Sequence, residues 1–315
     1  MENSPFTNAG FGSNLNREGR VECDACLCYS SLRSGHYERL YASCCAMYGV
    51  YNPILLCSVM VKDMASNGGL QNQLIKPLML SGRGGLDYIR RNSEICSGLI
   101  HCNDESQLPS YMVTEKSKME LSKYGKNVLY DTVGAIVYYN GILCSGVSSG
   151  GIMLKYSGRV GEAAIYGSGC MSESIQQQVA VGDDDDSTEG AMEETMEIQA
   201  ASNFSGIGED IMLNQFANDV NNQILYEEAP LESALYSLFK TKSRLLLPSH
   251  EGRKIGCMAV KVVDREDLEF GYAFSTDTMA LAYDSSAMGS NYFGNVVRRS
   301  GNEPELFVTR LKFKP

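Results

Sequence analysis

The sequence has no tryptophan, and among its 315 residues only eight are proline and three are histidine. His36, His101 and His250 stand far apart in the chain, so the sequence indicates neither a histidine-rich metal site nor a serine–histidine–aspartate triad. Long apolar runs are also missing, since none approaches the roughly 18 residues that cross a bilayer. The first residues carry no secretory signal pattern. We therefore expect an intracellular protein with no membrane partner.

Basic side chains are scarce relative to acidic ones. The chain has 27 lysines and arginines against 38 aspartates and glutamates, which gives a net charge of −11 at pH 7. An acidic protein without a large basic patch is a poor partner for nucleic acid or for an anionic membrane. With 43% hydrophobic residues, the chain can nevertheless bury a core of domain size.

Eleven cysteines are scattered along the chain, most of them in apolar stretches. Their odd number and the size of the chain favour reduced thiols in the core over disulfides. Cys23, Cys26 and Cys28 form the one cluster that could suggest zinc, but no second ligand pair follows at a suitable spacing. The sequence therefore predicts core cysteines and no metal.

Glycine is frequent, with 31 residues that gather in six clusters. None of these clusters has the spacing of a dinucleotide-binding turn or of a P-loop, so no nucleotide cofactor is predicted. Glycine allows backbone to approach backbone or ligand closely. Six such clusters in one chain favour a site that is built largely from backbone.

Local patterns predict a mixture of strands and helices. Asn140-Gly141 is a strong signal for a tight hairpin, and Asn52-Pro53 is a typical helix start. The predicted strands cover residues 38–49, 132–139, 142–147, 254–263, 268–275 and 278–284, and the predicted helices 52–66, 86–91, 210–228 and a segment from 230. Two polar segments, 102–130 and the acidic 182–197, are predicted to be a linker and a solvated loop. The pattern favours an α+β fold whose helices cover a largely antiparallel core.

Five short segments carry the most specific signal in the sequence. They are Asp131-Thr-Val-Gly-Ala-Ile136, Ser148-Ser-Gly-Gly151, Gly158-Arg-Val-Gly-Glu162, Tyr166-Gly-Ser-Gly-Cys170 and Ser205-Gly-Ile-Gly-Glu209. In this order and spacing they resemble the N-terminal-nucleophile (Ntn) hydrolases of the plant-type asparaginase and isoaspartyl peptidase family. Residues 4–16 make the chain most similar to the threonine aspartases (taspases) of that family. The resemblance is weak in the linker and in the C-terminal third.

The resemblance implies a single Ntn-hydrolase domain over residues 1–315, folded as a four-layer αββα sandwich whose N-terminal strand and helix are missing. Family members cut themselves, which here would give an α-subunit of 1–131, with a flexible linker at 103–131, and a β-subunit of 132–315, with the acidic loop at 182–197. They need no cofactor and commonly pair as homodimers of αβ units.

The residues themselves explain why Thr132 could serve as the nucleophile. Its hydroxyl is not ionised at neutral pH, but a cut after Asp131 would give Thr132 a free amine with an ordinary pKa of about 7.7–8.0. That amine can accept the hydroxyl proton within one residue. The competing interpretation of Thr132 is an ordinary β-branched strand residue.

The resemblance also implies roles for other residues. It places a second hydroxyl at Ser149, an oxyanion hole at Ser205 and Gly206, a substrate-carboxylate binder at Arg159, and supporting contacts at Asn8 and Gly208. A guanidinium can bind a carboxylate through two parallel hydrogen bonds. The alternative for Arg159 is a surface charge in a glycine-rich turn.

Glu162 departs from the threonine aspartases, which tend to have an uncharged amide there, while asparaginases have an aspartate that holds the substrate amine. The main hypothesis is a threonine-type endopeptidase that cuts itself at Asp131–Thr132 and then cleaves acidic partner proteins after aspartate, in cytoplasm or nucleus. One alternative is an isoaspartyl peptidase or L-asparaginase, which Glu162 favours. The other is an inactive truncated homologue.

Overall fold

Two five-stranded sheets lie face to face, and helices cover their outer surfaces. The computed structural model describes residues 1–4, 6–33, 36–66, 75–100, 102, 104, 106–122, 132–181, 192–240, 254–285, 293–301 and 303–312. The layers therefore follow the order helix, sheet, sheet, helix. This arrangement confirms the predicted α+β sandwich.

The first sheet has the strand order β3-β2-β1-β5-β4. Its strands are β1 (Cys23–Arg33), β2 (His36–Met47), β3 (Met79–Ser81), β4 (Val133–Tyr139) and β5 (Ile142–Ser149). All neighbours are antiparallel except β2 and β3. Asn140 and Gly141 turn between β4 and β5 with φ angles of 49° and 73°, which confirms the predicted hairpin.

The remaining strands are β6 (Cys170–Val181), β7 (Met192–Gly206), β8 (Ile255–Val263), β9 (Asp267–Phe274), β10 (Thr278–Tyr283), β11 (Phe293–Arg298) and β12 (Glu305–Lys312). The second sheet is antiparallel and has the order β12-β9-β8-β7-β6. Strands β10 and β11 form a separate two-stranded ribbon.

The helices are α1 (Pro53–Ala65), α2 (Gly82–Arg91), α3 (Leu108–Tyr111), α4 (Glu115–Ser122), α5 (Gly208–Asn214), α6 (Phe216–Leu225) and α7 (Leu231–Lys240). Helices α1 and α2 pack on the first sheet, while α6 and α7 pack on the second, and each pair closes an apolar core. None of the described helices combines the length and apolarity needed to cross a bilayer.

The layer between the two sheets is partly polar. Side chains of β1 and β6 meet there as pairs of the same type: Cys26 Sγ lies 2.9 Å from Cys170 Sγ, and Ser30 Oγ lies 2.7 Å from Ser172 Oγ. All eleven cysteines, each within the described part of the chain, are free thiols, and nine are buried. Most of them therefore act as small core residues.

The predicted helix 210–228 is wrong as a single element, because it is divided into α5 and α6. Gln215 separates the two helices with a left-handed φ of 49°. The amide of Asn218 in the first turn of α6 donates to Gly167 O at 2.7 Å. This contact with a neighbouring loop, together with the buried Phe216, turns the chain onto the second sheet.

Two segments that were predicted to be irregular contain regular structure. Within 102–130, α3 and α4 form, and Leu108 and Met112 are buried. Residues 192–197 of the predicted acidic loop belong to β7, where Met192 pairs with Val181 of β6. Residues 123–131 and 182–191 lie outside the described residues.

Candidate active site

Thr132 lies at the open end of the β4–β5 hairpin. It immediately precedes β4, and the register pairs Val133 with Ser148, so Thr132 faces Ser149 at the end of β5. Thr132 Oγ1 is 2.9 Å from Ser149 Oγ. The amide of Gly151 donates to Ser149 Oγ at 3.1 Å, which fixes the serine hydroxyl. Asp131 lies outside the described residues.

Glu162 reaches the same hydroxyl from a 3₁₀ turn over Glu162–Ala164. Its Oε1 lies 3.1 Å from Thr132 Oγ1, and the side chain is buried. Gly208 leaves the necessary space, since a Cβ there would lie 2.4 Å from Glu162 Oε2. Burial raises the pKa of Glu162 to about 7, against the opposing effects of the Arg159 charge and the Thr132 hydrogen bond.

Arg159 lies beside Glu162 and is mostly buried, with 14% of its side chain exposed. Its Nε and Nη2 both donate to Glu209 Oε1, at 3.0 and 2.7 Å. A Cβ on Gly208 would lie 3.0 Å from Arg159 Nη2, which places the guanidinium against the same glycine as the Glu162 carboxyl. Arg159 is therefore a mostly buried guanidinium that is fixed at the site by Glu209, and not a surface charge.

Asn8 supports the loop that follows Ser149. Its Nδ2 donates to Gly151 O at 2.8 Å, and its Oδ1 accepts from the amide of Asn14 at 3.0 Å. The amide of Gly150 donates to Asn8 O at 2.8 Å. Asn8 thus holds the backbone next to Ser149.

Ser205 and Gly206 end β7, opposite Gly256 and Ile255 of β8. Gly206 has a φ of 144°, and a Cβ there would lie 2.1 Å from Lys254 O, so only glycine fits. Among the described residues, no hydrogen bond joins Ser205 to Thr132. The structure thus gathers Thr132, Ser149, Glu162, Arg159 and Gly208, with Asn8 behind them and the Ser205–Gly206 turn leading into α5.

Asp24 is a site neighbour that sequence reasoning missed. Its carboxylate is fully buried in β1 and accepts from the amides of Ala46 and Gly161, each at 2.8 Å. Burial raises the pKa of Asp24, and the nearby charges of Lys155 and Arg159 oppose that shift. Since Gly161 precedes Glu162, Asp24 fixes the turn that carries the site. An acidic residue within an otherwise apolar strand was the available signal.

The burial of Glu162 leads to a prediction about stability. Because its pKa rises from 4.5 to about 7 on folding, the folded chain binds this proton more tightly than the unfolded chain does. The free energy of unfolding should therefore fall by about 3 kcal/mol as the pH rises from about 4.5 to about 7. The Glu162→Gln variant should lack this contribution, since its amide does not titrate.

Urea unfolding at about pH 4.5 and about pH 8 checks this prediction. Both chains should carry Thr132→Ala, so that each stays one polypeptide during the measurement. Burial also raises the pKa values of Glu2, Asp24 and Glu197, but these groups are present in both chains, so their own contributions largely cancel in the difference. A difference in unfolding free energy that does not change with pH would contradict the prediction.

Comparison with known proteins agrees with this geometry. The family model described as asparaginase matches residues 1–184, and the four-layer sandwich is consistent with the Ntn-hydrolase fold of that family. Because this match covers more than half of the 315 residues, the chain belongs to the asparaginase family.

Three relatives show how distant the similarity is. The chain is 28% identical over 224 residues to the plant-type L-asparaginase of Pyrococcus horikoshii, covering 64% of this chain and 66% of the relative. It is 28% identical to the plant-type L-asparaginase of Thermococcus kodakarensis, covering 56% of this chain and 55% of the relative. It is 29% identical to a probable isoaspartyl peptidase/L-asparaginase of Drosophila pseudoobscura, covering 57% of this chain and 54% of the relative. The chain thus spans between half and two thirds of the length of these relatives.

Proposed function

We propose that the chain is a self-cleaving threonine hydrolase that acts on the β-amide of asparagine and on isoaspartyl peptide bonds. The observation that carries this proposal is the Thr132 hydroxyl held between Ser149 and Glu162, beside Arg159. The relatives named as L-asparaginase and isoaspartyl peptidase support it. This proposal replaces the endopeptidase as the leading hypothesis.

The chemistry begins with a cut between residues 131 and 132, which gives Thr132 a free amine. That amine takes the proton of its own hydroxyl, and Oγ1 attacks the carbonyl carbon of the substrate amide. Ser149 orients the attacking oxygen, and donors at the Ser205–Gly206 turn stabilise the charge on the carbonyl oxygen. Ammonia or an amine leaves, and water then hydrolyses the ester on Thr132.

The charged groups at the site suit a small substrate that carries a carboxylate and an ammonium group. Two of the five N–H donors of Arg159 bind Glu209 Oε1, and we propose that the others bind a substrate carboxylate. Glu162, once ionised, is positioned for a substrate ammonium group, because it lies against the nucleophile and is shielded from solvent. L-Asparagine and the aspartyl part of an isoaspartyl peptide carry both groups next to the bond that is cut.

A second candidate is the endopeptidase that cleaves acidic proteins after aspartate. Ser149 favours it, because the asparaginase-like members have threonine there, and so does the similarity of residues 4–16 to the threonine aspartases. Glu162 speaks against it, since a buried carboxylate at the site would repel an incoming aspartate side chain. For either activity we propose that two αβ units pair as a homodimer, as the family resemblance implies.

The purified chain tests both candidates. Intact-mass measurement should find fragments 1–131 and 132–315, the second starting with threonine. Ammonia release from L-asparagine and aspartate release from an isoaspartyl dipeptide would support the main proposal. Cleavage of an acidic peptide after aspartate, without either release, would support the second. A chain that stays intact and turns over none of these substrates would be an inactive homologue and would contradict both.

A further inference from the structure

The self-cleavage on which the proposed function rests requires a base that the amine of Thr132 cannot supply. In the uncut chain that nitrogen belongs to the peptide bond, and an amide nitrogen has no basic lone pair because of resonance. A threonine hydroxyl needs an adjacent base before it can attack a carbonyl. A different group must therefore accept the proton in the first reaction of the chain.

We propose that Glu162 is the general base of self-cleavage, a role separate from holding a substrate ammonium group. Its Oε1 lies 3.1 Å from Thr132 Oγ1, within the distance required for proton transfer. The hydroxyl has one proton, which it can give to Ser149 Oγ or to Glu162 Oε1. An ionised carboxylate is the stronger acceptor of the two. The proposal rests on the proposed function, since it concerns the reaction that exposes the amine.

The other charged groups near Glu162 are engaged elsewhere. Both carboxylate oxygens of Asp24 accept backbone amides, and Lys155 Nζ donates to Glu22 O at 2.7 Å. Glu209, in α5, accepts two hydrogen bonds from Arg159. Among the described residues, Glu162 is the carboxylate that is hydrogen-bonded to the hydroxyl of Thr132.

The reaction balances with this one base. The Glu162 carboxylate takes the proton from Thr132 Oγ1, and the oxygen forms a bond to the carbonyl carbon of residue 131. The carbon–nitrogen bond between residues 131 and 132 then breaks, and the nitrogen takes the proton back from Glu162. The product is an ester on Oγ1 with a free amine on Thr132. Water hydrolyses the ester to a carboxylate at residue 131 and the restored hydroxyl.

The surroundings of Glu162 predict the pH dependence of this step. Arg159 faces the carboxyl and favours its ionised form, as does the hydrogen bond from Thr132, whereas the charge of Asp24 in β1 disfavours it. Burial, to which the charge of Asp24 adds, outweighs the effects of Arg159 and Thr132 and raises the pKa of Glu162 to about 7. Because the base must be ionised, the rate of self-cleavage should rise with pH up to about 7 and then level off.

Cleavage kinetics of the full-length chain, followed by intact mass between about pH 5 and about pH 9, test the proposal. We expect Glu162→Gln to slow cleavage by at least about 100-fold and to remove the inflection near pH 7. Glu162→Asp should cleave at an intermediate rate with a pH inflection, since it keeps the carboxylate but is one methylene shorter. Glu2→Gln is the matched control: Glu2 is another buried glutamate with a raised pKa, and its oxygen binds the amide of Ile54 instead of Thr132. It should cleave at the rate of the unmodified chain.

The possible outcomes separate this proposal from the proposed function. If the unmodified chain cleaves and Glu162→Gln cleaves equally fast, or keeps the inflection, the proposal is wrong while the hydrolase remains. If Asp131→Asn stops cleavage and Glu162→Gln does not, the base is Asp131. If the unmodified chain never cleaves, the proposed function itself fails. Circular dichroism verifies that each variant folds. If Glu162→Gln does not fold, Glu162→Asp is compared with the unmodified chain instead. Identical cleavage rates and pH profiles of these two chains would overturn the proposal.

Discussion

Replacing Thr132 by alanine should leave the chain as one polypeptide of 315 residues and abolish hydrolysis of every substrate. In the proposed mechanism, the substitution removes the oxygen that attacks the bond before residue 132 and that, after the cut, attacks the substrate. Loss of a covalent nucleophile lowers kcat by at least about 10⁴-fold. Intact mass and ammonia release from L-asparagine measure the two losses separately.

The control for this variant is Thr132→Ser, which keeps the hydroxyl and loses only the methyl group. It should still cut itself and turn over substrate, at lower rates, because the β-branch that restricts the side-chain rotamer is gone. An alanine chain that is still divided at residue 132 would show that another group cuts the bond, and the hydrolase mechanism proposed for Thr132 would be wrong.

The second large effect is expected at Arg159. Arg159→Ala should lower kcat/KM for L-asparagine by about 100- to 1,000-fold, because the charge-assisted hydrogen bonds that we propose between its guanidinium and the substrate carboxylate would be lost. Self-cleavage should continue, since that reaction involves no free carboxylate substrate. The kcat/KM of Arg159→Lys should lie between those of the unmodified chain and of Arg159→Ala, because an ammonium keeps the charge but not the planar pair of donors. Steady-state kinetics together with intact mass measure both properties.

Arg17 provides the matched control for Arg159. Its guanidinium lies 3.8 Å above the ring of Tyr156, and its Nε donates to Leu154 O, so this arginine from the N-terminal segment contacts the loop that precedes Arg159. Arg17→Ala should retain the kcat/KM of the unmodified chain. Equal losses in the Arg17 and Arg159 variants would indicate a general disturbance of the loop and would contradict a carboxylate-binding role.

The sequence predicted the parts of the fold that are governed by local signals. The Asn140-Gly141 hairpin and helix α1 depend on turn and helix-start residues, and both were located correctly. The segments around Thr132, Ser149 and Arg159 pointed to the correct family, since their order and spacing are specific even though each alone is weak. The finer assignment to the threonine aspartases is a prediction that the comparisons do not establish.

The parts that were missed depend on contacts between distant residues. Strand β6, which begins Cys170-Met-Ser-Glu-Ser174, was not predicted from the sequence, yet Ser172 and Ser174 are buried where they hydrogen-bond with Ser30 of β1. Asp24 likewise has a role only because Gly161, which is 137 residues away, brings its amide to the carboxylate. Such pairings follow from the stacking of two sheets, and neither segment shows the alternation of apolar and polar residues by which a strand is predicted.

The fit of Glu162 against Gly208 makes the position of the site carboxyl depend on the residue at 208. A methyl group at 208 would occupy the place of the carboxyl oxygen of Glu162, at 2.4 Å. An acid one methylene shorter would relieve that contact, but its carboxyl would lie farther from Thr132. Any side chain at 208 would therefore have to displace the Glu162 carboxyl that contacts Thr132, and it would also crowd Arg159 Nη2, which lies 3.0 Å from the same Cβ position.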